Sequence, residues 1–453
     1  MDRRGFLRVL AGGTLAGGGL AGCSGLPGTG TEPEREQATQ FHPAREPEEW
    51  TQTHYDSAHT RRIQQALDFD GEERWHFRPR HRVAHAVPPL AADGQVYLAY
   101  KAPRGAVRNS RPRLLAIDAN TGTRQWRRSG GDWQGGFTPR HGPLPTVYGD
   151  LLYFGPNSGS NALFAIAAGS GSTRWTAAVG GGRQTVVPAA GLLHVVRPES
   201  RHGSRRVSIA ALDPLKGTAR WETTFEAMHV GHPTFDGSSL YYPIEAVPEG
   251  GDEETTIPQV VSVDPDTGRE RGRFARGMQS QAPFSGGMLF TAEWGSERIA
   301  AIDTADGSLD WERPVQFSHQ MDQGDVQVVN ARYNFGGVAD DRLVVHKKMH
   351  GFVSDELWGL DPTSGDVEWR ITPPTADDRV EIFNQPIVAG RHLFVTGTVN
   401  PTEASRTGFL RQFDLGTGEE VLAMDLPSPC FVPPIVADGQ VVVVGWDGVR
   451  GFR

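Results

Sequence analysis

One unit recurs along the chain: an apolar strand, an Asp, a short turn containing Gly, then a polar strand bearing Trp. Its clearest copy reads Leu114-Leu115-Ala116-Ile117-Asp118-Ala119-Asn120-Thr121-Gly122-Thr123-Arg124-Gln125-Trp126. Further full copies carry Asp213, Gly217 and Trp221; Asp303, Gly307 and Trp311; and Asp361, Gly365 and Trp369. Weaker copies keep the frame and lose one element. Ala167 replaces the Asp before Gly171 and Trp175, Gly272 occupies the Trp position after Asp264 and Gly268, and Leu422 occupies it after Asp414 and Gly418. A half-copy, Gly71 to Trp75, stands near the N-terminus, so the glycine returns about every fifty residues, at 71, 122, 171, 217, 268, 307, 365 and 418. A repeat of that size is a supersecondary module that buries its apolar face only against its neighbours.

The physics of the unit is a β-hairpin. The Asp accepts hydrogen bonds from turn amides, the Gly supplies a positive φ, and the Trp packs its broad face between sheets. A second hairpin signal precedes each copy, as in Ala91-Ala92-Asp93-Gly94-Gln95-Val96-Tyr97 and Val436-Ala437-Asp438-Gly439-Gln440-Val441-Val442. Two hairpins per period predict a four-stranded antiparallel blade, and blades set radially predict an all-β, eight-bladed β-propeller. The last segment, 434–453, has three strands and lacks the Gly-Trp strand, which the N-terminal half-copy supplies. The eighth blade is therefore expected to be sewn from both termini, leaving no free sheet edge.

Composition agrees with this reading. The 453 residues include 56 Gly and 32 Pro, too many breakers for a helical protein, while 11 Trp and 21 Phe provide ample core. A net charge of −9 argues against a nucleic-acid partner, which would call for concentrated positive charge. The only cysteines, Cys23 and Cys430, cannot form a disulfide framework or a four-cysteine metal site. Cys430 reads as a small buried side chain.

The N-terminus resembles an address. Arg3-Arg4 precedes the apolar, Gly-rich stretch Val9 to Leu20, which ends in Leu20-Ala21-Gly22-Cys23. This is similar to a twin-arginine export signal followed by a lipobox, with Cys23 the lipidated residue. Residues 1–23 are thus expected to be the signal, 24–48 a disordered tether and 49–453 the propeller, held as a monomer at the extracytoplasmic face of a membrane.

The Asp-x-x-Thr-Gly-x-x-x-Trp unit resembles the repeat of the pyrroloquinoline-quinone (PQQ) propeller family, over roughly residues 49–453. Trp50 followed by Asp56-Ser57-Ala58-His59-Thr60 also looks like the lead-in segment of exported members. The family holds both quinoprotein alcohol dehydrogenases and a non-enzymatic outer-membrane assembly lipoprotein. Membership implies, for the dehydrogenases, PQQ capped by adjacent cysteines and calcium held by acidic and amide side chains. This chain has no Cys-Cys pair and no segment that matches the calcium setting. The expectation is a ligand-binding or protein-assembly scaffold with a partner on a propeller face. The rival is a PQQ-dependent dehydrogenase with calcium and an atypical site; for a glycan lyase or hydrolase there are no paired acids to argue from.

In a propeller the residues just before each innermost strand line one mouth of the central funnel. Those positions are His85, Arg140, His141, Arg183, Gln184, His229, His232, Gln279, Gln281, Arg332, Asn334, Asn384, Gln385 and Cys430. Such a ring suits an anionic or polyhydroxylated ligand, and equally the lining of a watery channel. The pairs His229/His232 and His346/His350 fall in strands or loops, where their spacing does not put both rings on one face, so no metal is expected. The long connection Glu312–Ala331, with His319, Asp322 and Asp325, reads as a lid or docking edge. The acidic insertion with Asp252, Glu253 and Glu254 reads as a solvated turn.

Overall fold

The computed structural model describes residues 50–52, 55–101, 113–129, 145–155, 162–179, 186–198, 206–247, 256–274, 282–292, 298–314, 332–339, 341–348, 355–373, 381–400 and 406–453. The signal, Cys23 and the tether lie outside the described residues, as do His319, Asp322, Asp325 and the acidic triplet 252–254. Among the described residues the regular structure is all β, without a helix.

The first copy shows how the sequence makes a sheet. Leu90–Ala92, Gln95–Lys101, Arg113–Asp118 and Arg124–Ser129 pair in that order, each antiparallel to the next. The second and third strands are nearly continuous apolar runs and are buried along their length, as strands covered on both faces must be. The fourth alternates exposed and half-buried residues, with Trp126 on the sheltered side. The same four-stranded order recurs in 146–178, 186–226, 234–274, 284–314, 332–371 and 387–426. The long strand Ala219–Val230 serves two of these sheets: through Glu226 it pairs with Arg206–Leu212, and from Ala227 with Leu240–Ala246.

A further sheet uses both ends of the chain. Ile435–Ala437, Gln440–Gly445 and Gly448–Phe452 are followed by Glu73–Phe77, antiparallel to Gly448–Phe452 with Trp75 opposite Gly451 and Phe77 opposite Val449. Arg450 fastens this seam, its Nε 3.0 Å from Glu73 Oε2 and its other nitrogens on Asp447. One apolar cluster spans the chain ends, uniting Trp50 and Trp75 with Val96 and Leu115 of the first sheet and Val441 and Phe452 of the last.

The repeat residues act between sheets. Asp118 Oδ1 accepts from the amides of Asn120 (3.1 Å) and Thr121 (2.9 Å), and Asp213, Asp264, Asp361 and Asp414 hold their turns the same way. The amide of Gly122 meets the carbonyl of Asp118 at 3.0 Å, and the Ala167 copy keeps the matching bond from Gly171, so the backbone carries the turn where the carboxylate is missing. Each repeat tryptophan then covers the turn of the next sheet. Its indole Nε1 donates to the carbonyl after the Asp position: Trp75 to Ala119, Trp126 to Ala168, Trp175 to Pro214, Trp221 to Pro265, Trp311 to Pro362 and Trp369 to Leu415, all at 2.7–3.0 Å. The ring lies directly on the next glycine: a Cβ on Gly122 would come within 2.7 Å of Trp75, and one on Gly217 within 2.6 Å of Trp175.

Two weak copies are resolved by this packing. Gly272 occupies the repeat's Trp position, but Phe274, two residues on, lies against Gly307 in the indole's place. Leu422 and Met424 fill the same role against Gly71.

Candidate functional site at the convergence of the first strands

The first strands of neighbouring sheets touch one another, including Ile435–Ala437 with Leu90–Ala92, and Leu90–Ala92 with Thr146–Tyr148. Residues 50–52 and 55–63 lie where they converge. In order along the segment, Trp50 O accepts from Ala91 N, Thr51 O from Val147 N, Ser57 O from Phe235 N, Ala58 O from Phe284 N, Thr60 O from Val338 N, Arg61 O from Val388 N and Ile63 O from Gly390 N, all at 2.8–2.9 Å. The Ser57 hydroxyl adds a bond to Pro188 O, and Arg62–Ile63 pairs in parallel with Ile387–Ala389. The twelve described residues of this segment therefore bond the first strands of seven successive sheets. The path needs tight reversals, and Tyr55, His59 and Arg61 adopt left-handed φ of 80°, 57° and 49°. Such conformations persist only where the surroundings over-determine them.

The side chains of this segment are polar yet enclosed. His59 is buried, its Nε2 2.9 Å from Pro233 O, and burial holds its imidazole down at about 4. Arg61 is buried too, donating from Nη2 to Gln385 Oε1 at 2.7 Å, and burial lowers its guanidinium to about 9. Burial raises the Asp56 carboxyl, opposed by hydrogen bonds from the Thr60 amide (2.9 Å) and hydroxyl (2.7 Å).

The funnel candidates are distributed unevenly around this centre. Asn384, Gln385 and Cys430 come together: Asn384 Nδ2 donates to Thr396 Oγ1 and to Cys430 O, both at 3.1 Å, and Gln385 receives Arg61. His232 adjoins Pro233, the partner of His59, whereas His229 is exposed within Ala219–Val230, opposite Glu245. Asn334 is half-buried opposite His346. His85 and Arg332 belong to strands, opposite Lys101 and Lys348, with side chains outside the described set. Arg140, His141, Arg183, Gln184, Gln279 and Gln281 lie outside the described residues, as does His350. The sequence reading missed Gln52, Ser57, His59 and Arg61 as central residues; its one cue was the run of polar, turn-forming residues behind Trp50.

Cys430 is buried, and its thiol is pushed up to about 12, which suppresses thiolate chemistry. His346 Nε2 lies 3.2 Å from Asp355 Oδ2 in the core, and the Phe383 amide donates to the same carboxylate oxygen. Glu381 is buried beside Arg411. Among the described residues no three His, Cys, Asp or Glu side chains are grouped to hold a metal ion. The described carboxylates near the centre, Asp56, Asp355 and Glu381, are engaged with protein groups, so the described residues do not fit a calcium–quinone group.

Comparison with known proteins places this architecture. A search of the curated proteins finds no match. Among solved structures, a europium-containing methanol dehydrogenase superposes with TM-score 0.61 at 13% identity, covering 90% of this chain and 91% of that one. The quinohemoprotein alcohol dehydrogenase from Comamonas testosteroni gives 0.58 at 14%, covering 90% and 78%. BamB from Moraxella catarrhalis gives 0.52 at 13%, covering 84% and 96%. At these identities the likeness is one of fold, a PQQ-like β-propeller. The family model described as outer membrane protein assembly factor BamB matches residues 59–191 and 257–378, more than half of the chain, and the protein belongs to that PQQ-like repeat family.

Proposed function

We propose that the chain is a closed eight-bladed propeller, lipid-anchored through Cys23 on the extracytoplasmic side of the membrane, that acts as a ligand-binding or protein-assembly scaffold. The reading is supported by the lead-in segment, whose described residues between Trp50 and Ile63 bond first strands of seven successive sheets and so crowd their convergence with protein backbone. Binding is then left to the outer faces and to the end where Asn384 and Gln385 lie. Closure is supported by the cycle of turn contacts, from Trp75 on Gly122 round to Leu422 and Met424 on Gly71. Family membership supports assembly work as its general class.

The test against the rival PQQ-dependent dehydrogenase is direct. Purified protein given PQQ and calcium should show no alcohol- or sugar-dependent dye reduction above the protein-free rate. Turnover abolished by substituting a central acid such as Asp56 would overturn the scaffold reading. For the anchor, Cys23→Ser should move the protein from the membrane to the soluble fraction, and unchanged membrane association would contradict it.

A further inference from the structure

The seam between the last and first sheets carries a feature that the fold does not require. The connection from Glu73–Phe77 to the first sheet reads Arg78-Pro79-Arg80-His81-Arg82, and Arg78, Arg80 and Arg82 are exposed. Among the described residues none of these three arginines forms an ion pair; Arg78 Nε donates to His76 Nδ1 at 3.0 Å. The neighbouring acids Glu73 and Asp447 are engaged by Arg450. The strip rests on the turn at Trp446, since the Val83 amide donates to Trp446 O at 2.8 Å. Over the indole of Trp446 lie two guanidinium groups, Arg406 at 4.0 Å and Arg82 at 5.9 Å, and Phe431 packs beside it at 5.4 Å between ring centroids. Phe431 is 46% exposed, although most described large apolar side chains are inside.

We propose that Arg78, Arg80, Arg82 and Arg406, with Trp446 and Phe431, form a docking surface for an acidic segment of a partner protein. This deepens the scaffold reading and rests on it. Arg78, Arg80 and Arg82 place three exposed guanidinium groups within five residues, and in a chain of net charge −9 such a local concentration of positive charge attracts a negatively charged segment. Guanidinium forks bind carboxylates in a defined geometry, and stacking on an indole holds them in place before binding. Arg and Trp are also the side chains that dominate protein-protein affinity. A membrane surface fits less well: stacking holds the Trp446 ring half-buried, and only Phe431 protrudes, whereas an interfacial anchor presents several apolar side chains to insert.

The test is titration calorimetry of the full chain with a short Glu-rich peptide containing one Phe, beside a control peptide with Gln for every Glu. The Glu peptide should bind saturably and the Gln peptide should not, with affinity falling as salt rises. Arg80→Gln with Arg82→Gln should weaken binding at least about tenfold, and Phe431→Ser, which changes no charge, about threefold or more. Arg124→Gln, a basic residue on a different sheet, should leave binding unchanged. All four positions are exposed, and thermal melting checks that each variant folds. Absence of saturable binding, equal binding by the double variant, or binding of phosphatidylglycerol vesicles but not of the peptide would each overturn the proposal. Turnover with PQQ and calcium would sink the scaffold reading and leave the peptide result standing as an independent measurement.

Discussion

Single residues in this protein matter chiefly through the turn they make and the ring that covers it. Gly122 and Gly94 both have φ near +68°, at +68° and +67°, yet a Cβ on Gly122 would strike the Trp75 ring and one on Gly94 meets nothing within 4 Å. Gly94→Ala should therefore cost about 1 kcal/mol, the strain of a left-handed alanine alone. Gly122→Ala adds displacement of a buried indole and should cost about 2–4 kcal/mol. Denaturant unfolding of the two variants checks this, and equal losses would contradict the interlock. His59 gives a pH signature. Its folded value of about 4 lies below the ordinary 6.5, so between those values the unfolded chain takes up a proton that the folded chain refuses. Its contribution is complete above pH 6.5 and is lost as pH falls towards 4, by up to about 3 kcal/mol. His194, also held near 4 by burial, acts in the same direction. His59→Gln should flatten the fall in melting temperature across that window without abolishing it, and an unchanged slope would contradict the assignment.

At the scale of elements, legibility followed local chemistry. The Asp, Gly and Trp positions were readable because a turn bonded within a few residues and a residue with positive φ leave their mark in one short window. The substitution of Phe274 for the missing indole was not readable, because the ring's place is defined by the next sheet's Gly307 and not by spacing from Gly268. Phe274→Ala should accordingly cost about 2 kcal/mol, since its partly buried ring covers Gly307, while Gly272→Ala should be nearly neutral, since nothing lies within 4 Å of its Cβ direction. The lead-in segment illustrates the same limit. Its residues were recognisable by type, but its bonds reach from Ala91 to Gly390, partners that no local pattern encodes. Of the funnel candidates, Asn384 and Cys430 meet through a direct bond from Asn384 Nδ2 to the Cys430 carbonyl, and Gln385 is held by Arg61, in both cases partners distant in the chain.

The whole molecule depends on contacts between the ends of its chain. Residues 50–52 and 55–63 bond seven first strands, and Glu73–Phe77 completes the sheet begun by Ile435–Ala437. Removing residues 49–80 should unfold the propeller, whereas removing only the segment before residue 49 should leave its melting unchanged. The central claim, that the N-terminal strand closes an eight-bladed ring, is tested most directly by native-state hydrogen exchange of the backbone amides in Glu73–Phe77 and Gln440–Gly445. Closure predicts that both strands exchange only through global unfolding, with comparable protection. Rapid exchange of Glu73–Phe77 while Gln440–Gly445 stays protected would contradict it.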